Sequence, residues 1–209
     1  MLINKKRQIK HLNLINKKNQ VKQIDNTTIL HSLFKAKNFY GAPIEFFNKE
    51  LSIFLYGKRH DYFIINLKYT VFFLKRILKL VQKTIKKKKK ILVIANADDM
   101  FFLTNRFIKK FYPNLIIFNE EWVSGMFTNK RFPLGINKKQ IQFVLIFKAS
   151  IEQKYLIKEL SSFKVPIISF INTDEKLKNI KYPVLTNKEN IKSLFFLIYL
   201  FKKVSNKNI

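Results

Sequence analysis

Apolar residues along this chain fall into short solid runs, separated by longer stretches in which they recur every three or four positions. The solid runs are residues 62–67 (YFIINL), 91–95 (ILVIA), 115–118 (LIIF), 142–147 (QFVLIF) and 166–171 (PIISFI). A strand covered on both faces has no polar alternation, so these runs predict five buried strands. Between the first two, Val71, Leu74, Leu78, Val81 and Ile85 lie on one helical face, which predicts a helix over 68–85. Further helices are predicted over 98–110, 151–163 and 187–203. The first opens on Asp98 or Asp99, where a carboxylate suits the positive helix end, and stops at Pro113. A shorter helix follows the capping residues Asp25, Asn26 and Thr27. It places Ile29, Leu30, Leu33 and Phe34 at helical spacing and ends near Asn38, before Gly41-Ala42-Pro43.

Strands alternating with helices and joined by right-handed crossovers give a three-layer α/β/α sandwich around a mainly parallel five-stranded sheet. The expected organisation is a basic arm over residues 1–24, then an N-terminal helix and aromatic extension packed on the core over 25–60. An α/β domain follows over 61–204, with a frayed tail at 205–209.

Charge changes the picture most. Among 209 residues, 41 Lys and Arg face 13 Asp and Glu, a net charge of +28, so the natural partners are polyanions. Only five of the basic residues are Arg. Lys, Ile, Asn and Phe all have A/T-rich codons, so an AT-rich genome accounts for part of the Lys excess. It does not account for the scarcity of Asp and Glu, and such composition is common in organelle genomes. The hydrophobic fraction of 47%, with 22 Phe, excludes wholesale disorder. The absence of Cys excludes disulfides, thiolate zinc sites and Cys nucleophiles. Three His are too few for most histidine metal sites, and the four Gly never fall at the spacing of a phosphate-cradling loop. The longest uncharged runs, such as 193–201, are nine residues, against about 20 for a membrane span. The first acid is Asp25, and the arm before it is Lys/Asn-rich, which reads as RNA-binding rather than targeting.

Enzymatic constellations are thin. Asp98-Asp99 follows a strand, as Mg²⁺-binding or phospho-acceptor acids do, but the pair reads first as helix capping. A flavodoxin-like nucleotide- or Mg-dependent enzyme built on Asp98 and Asp99 is the alternative reading. Glu120-Glu121 reads as a surface pair or a partner for Arg131, and Ser124-Gly125 lacks the first glycine of a nucleophile elbow. The apolar stretch 194–201 reads as a buried helix or one covered by a partner protein. Binding chemistry is better represented. The candidate RNA-contact residues are Lys17, Lys18, Lys58, Arg59, Lys86, Lys88, Lys90, Asn129, Lys130, Arg131, Lys138 and Lys139, which sit in the arm, in loops or at element ends.

Two segments then stand out: 56–71 (YGKRHDYFIINLKYTV), with Gly57, Ile65 and Leu67, and 120–129 (EEWVSGMFTN), with Trp122, Gly125, Met126, Thr128 and Asn129. Both resemble signature segments of the small-subunit ribosomal protein S2 family, in the right order. Agreement continues through HSLFKAKNFYG (31–41), Phe47-Asn48 and residues 166–200. The resemblance implies a flavodoxin-like domain without catalytic activity, metal or cofactor, whose signature residues shape the fold. It implies a place on the solvent side of the small subunit, between head and body, bound to small-subunit rRNA and adjacent ribosomal proteins. Neither membrane insertion nor a homo-oligomer is expected.

The chain departs from the bacterial pattern in three ways. Ala42 stands where the family usually has His, and the loop 172–181 has lost most of its acids, so an ion site at either place is not expected. Only about a dozen residues separate Asn129 from the strand at Gln142, so the bacterial coiled-coil hairpin is missing. A trimmed, Lys- and Phe-rich member implies an organelle, with the mitochondrial matrix expected before a plastid.

Overall fold

The structure is a computed structural model that describes residues 26–94, 112, 114–118, 125, 127, 140–147, 153–162 and 164–206. Helix α1 (Asn26–Lys35) buries Ile29 and Leu33. It closes in a Schellman turn, with Asn38 N–H donating to Leu33 O (3.0 Å) and Lys37 at φ 56°. Strand β1 (Tyr40–Pro43), two 3₁₀ turns (Ile44–Phe46 and Lys49–Phe54), β2 (Leu55–Arg59) and β3 (Tyr62–Ile65) follow. Asn66 caps α2 (Leu67–Lys86), its side chain accepting from Lys68 N–H at 3.1 Å. Then come β4 (Lys90–Ile94), β5 (Leu115–Phe118), β6 (Ile141–Ile146), α3 (Gln153–Ser161), β7 (Ile167–Ile171), β8 (Tyr182–Leu185) and α4 (Ile191–Asn206).

Five strands form one all-parallel sheet in the order β5-β4-β6-β7-β8, the flavodoxin-like winding. Successive side chains point to opposite faces. Ile91 and Val93 of β4, with Phe143 and Leu145 of β6 and Ile168 and Phe170 of β7, join one core with α1, α2 and α4. Leu92, Ile94, Val144, Ile146 and Ile167 face the other way, onto Leu156, Ile157 and Leu160 of α3. Phe147 and Phe170 stack at 5.2 Å, and Phe201 of α4 meets both edge-on.

Two sequence expectations are corrected. The run 62–67 is not a strand of the parallel sheet. Residues 62–65 form the middle of a separate antiparallel sheet, order β1-β3-β2, because only His60 and Asp61 separate β2 from β3. So short a connection forces a hairpin. The fifth parallel strand is instead β8, in a stretch read as a polar loop up to Pro183. Pro183 has no N–H to donate, and an edge strand is where a sheet tolerates that.

One helix shifts at both ends, since α4 runs on to Asn206 rather than 203. Helix α4 starts four residues later than expected, where the Asn190 side chain accepts from Lys192 N–H at 3.0 Å. Its stretch 194–201 is not buried all round. Leu194, Leu197, Ile198, Leu200 and Phe201 are buried, while Phe195 and Tyr199 are exposed. The expected helix 98–110 and the loop 120–137 fall largely outside the described residues.

The small sheet docks beside the carboxyl ends of two parallel strands. Leu51 and Ile65 form a third cluster with Ile171 of β7 and Leu185 of β8. Thr70 of α2 donates to Leu185 O at 2.8 Å, tying the same corner to the helix layer.

Candidate nucleic-acid interface

The β2–β3 hairpin carries the first basic site. Tyr56, Gly57, Lys58, Arg59 and His60 are all exposed along an edge strand. His60 turns the chain at φ 51°. The hairpin is anchored from its buried side by Phe63, whose ring lies 4.1 Å from that of Phe47, and Lys58 Nζ sits 5.1 Å above the Phe63 ring. This packing fixes the lysine stem while leaving the ammonium to solvent. Arg59 and Tyr56 offer a guanidinium and an aromatic face, the two planar groups that stack on unpaired bases. Gly57 is not demanded by space, since a Cβ there would meet nothing within 4 Å.

The second basic site is the run 86–90 at the other end of α2. Lys83 and Lys86 occupy the last helical turn, where cations complement the helix dipole. Lys88 takes φ 52°, and Lys89 N–H closes the Schellman turn onto Thr84 O at 3.3 Å. The Tyr112 hydroxyl donates to Lys89 O, and Asn114 Nδ2 to Lys88 O at 2.8 Å. Burial pushes the Tyr112 phenol up to about 12, so it stays a donor. The backbone is thus clamped while Lys86 and Lys88 remain exposed. Lys90 Nζ donates to Gln140 Oε1 at 2.6 Å. Twenty residues of α2 span about 30 Å, so the hairpin and the lysine run are two separate surfaces.

Beside the hairpin lies a groove of about 840 Å³. Arg59, His60 and Tyr62 line it, as do Asp174 and Glu189. Its charge is therefore mixed, and phosphate is favoured on the hairpin side alone. Beneath it, Thr173 is a hub: its Oγ1 accepts from Ala42 N–H at 2.7 Å, and its carbonyl from Asn48 N–H at 2.9 Å. Glu175 is largely but not fully buried against Lys188, which donates to its Oε1, while Oε2 has no partner among the described residues. Burial pushes the Glu175 carboxyl up to about 7. The Lys188 ammonium pulls against that shift, and Asp174 adds to it. A second buried hub joins Asn38, Thr186 and Ser193, with both hydroxyls donating to Asn38 Oδ1. Neither hub has a local sequence signal, because the partners are far apart in the chain.

Of the remaining candidates, Lys17, Lys18, Asn129, Lys130, Arg131, Lys138 and Lys139 lie outside the described residues, as do Trp122, Met126, Thr128, Asp98, Asp99, Glu120 and Glu121. Ile65 and Leu67 are buried core residues. Gly125 takes φ 85°, which L side chains rarely adopt. Phe127, not singled out from sequence, is fully buried. It packs on Phe118 at 5.3 Å, and its N–H donates to Glu159 Oε1 of α3 at 2.7 Å.

The family profile described as Ribosomal protein S2 matches residues 33–142, more than half of the chain. The chain belongs to the ribosomal protein S2 family. The matched span holds both basic surfaces and the segment around Gly125. The small ribosomal subunit protein uS2m of Acanthamoeba castellanii is 22% identical over 79% of this chain, which spans 54% of that relative's length. The uS2 protein of Rickettsia rickettsii (strain Sheila Smith) is 22% identical over 82% of this chain and 72% of its own. That of Rickettsia felis is 22% identical over 78% and 69%. Among the described residues of this S2 family member, no helix is long and apolar enough to cross a membrane. None of its described His, Asp and Glu side chains form a group of three or more able to hold a metal ion.

Proposed function

We propose that this chain is a structural, non-catalytic component of a small ribosomal subunit of the mitochondrial type. In this reading it binds small-subunit rRNA and adjacent ribosomal proteins on the solvent side, between head and body. Family membership carries the reading, since the matched relatives are named as small-subunit proteins. The mitochondrial assignment draws on the uS2m relative and on the Lys-, Ile-, Asn- and Phe-rich composition. RNA contact is made by Lys58 and Arg59 on the hairpin, and by Lys86, Lys88 and Lys90 at the far end of α2. Lys17, Lys18, Asn129, Lys130, Arg131, Lys138 and Lys139 extend the contact set. Lysines neutralise phosphates without reading bases, so affinity should be strongly salt-dependent.

The test is gradient sedimentation of an organelle lysate, following this chain with and without ribonuclease. Co-migration with the small subunit in high salt, lost on ribonuclease treatment, is the expected result. A free or membrane-bound chain overturns the reading.

A further inference from the structure

We propose that the groove between α1 and α2 docks an acidic amphipathic helix of a neighbouring protein. This goes beyond the rRNA reading and does not depend on it. The groove runs along both sides of Leu30. One half, about 680 Å³, lies over Val71 and Phe72 of α2; the other, about 710 Å³, reaches Phe34 and the start of α2. Leu30, Phe34 and Phe72 are 38%, 60% and 62% exposed, an apolar strip left open among the described residues. Leu30 and Phe34 are one helical turn apart and share a face of α1.

The rim is of one sign. Lys68, Lys75, Arg76 and Lys79 line the groove, and no acid does so among the described residues. Arg76 is held in place over the Tyr182 ring at 5.6 Å. From Lys68 to Lys79, α2 rises about 16 Å, the length of three helical turns. An apolar floor of that length with a basic rim fits a helix that presents apolar side chains at i, i+3 and i+7 between carboxylates. An RNA strand would meet the lysines but gain nothing from the aliphatic floor of Leu30 and Val71. The chain's own arm contains no acid before Asp25, so the rim would repel it.

The test uses the full chain and two synthetic helices of about 18 residues, long enough to cover the groove. Both carry the same Leu/Phe face, with Glu on the polar face of one and Lys on that of the other. Fluorescence anisotropy should show the Glu helix binding at least roughly tenfold more tightly than the Lys helix. Phe72→Ser, at an exposed position, should weaken that binding about tenfold without moving Tm. The pair Lys75→Glu and Lys79→Glu leaves Lys68 and Arg76 against two acids on the rim, so it should abolish the preference. The proposal fails if neither helix binds, if both bind equally, if Phe72→Ser and the charge reversal leave binding unchanged, or if an RNA oligonucleotide is bound and lost with Phe72→Ser instead.

Discussion

Gly41 and Thr173, 132 positions apart, touch so closely that a Cβ on Gly41 would come within 2.8 Å of both Thr173 Oγ1 and Cγ2. The contact lets β1 reach the loop after β7, where Ala42 N–H finds the Thr173 hydroxyl. Gly41→Ala should destabilise the chain by about 1–3 kcal/mol through overpacking. In a Thr173→Ala background the same substitution should cost less, because the clashing atoms are gone and only Phe63 O, at 3.1 Å, remains close. A double-mutant cycle in urea measures the coupling, and strict additivity would count against the contact.

Glu175 gives stability a pH dependence of defined sign. Its carboxyl is raised from 4.5 to about 7, chiefly by burial. Between these values the unfolded chain has lost the proton and the folded chain keeps it, so this group's contribution to stability falls as pH rises. The full loss is on the order of 3 kcal/mol, complete above about pH 7. Glu175→Gln should flatten the curve of urea midpoint against pH across that window. A Gln variant that keeps the wild-type slope would assign it to another group.

Three helix ends place lysine where glycine is favoured: Lys37, Lys88 and Lys164, at φ 56°, 52° and 57°. Each replacement by Gly should relieve left-handed strain and raise stability by about 0.5–1 kcal/mol. Lys88→Gly should at the same time weaken RNA binding, a separation that Lys37→Gly should not show. Thermal unfolding paired with filter binding reads both effects.

Lys58 and Arg59 are exposed on the hairpin and contribute little to packing beyond the Phe63 contact. Replacing both with Ala should leave the fold intact and lower the log–log salt slope of rRNA binding by about two. An unchanged slope would remove the hairpin from the RNA surface.

Four of the five strands of the sheet were readable because β4, β5, β6 and β7 are continuous apolar runs, and burial on both faces leaves no other pattern. Helix α2 was readable within a residue at each end, since its buried residues repeat at helical spacing. The hairpin was not, because Phe63 and Ile65 make the run 62–67 look like a core strand whichever sheet buries them. Of the candidate site, Lys58, Arg59 and the lysine run were visible as charge at element ends. Their placement at opposite ends of α2 was not.

The alternation of strands and helices, the positive charge and the segments that mark the S2 family are all legible in the order of residues. These are local or summed properties of the chain. Tertiary structure alone decided that residues 62–65 leave the parallel sheet and β8 enters it, that Glu175 meets Lys188, and that α1 and α2 leave a basic-rimmed apolar groove between them. Periodicity reports that a face is buried but not what buries it. Here the deciding partners, such as Asn38 with Ser193 across 155 positions, meet only once the whole chain has closed.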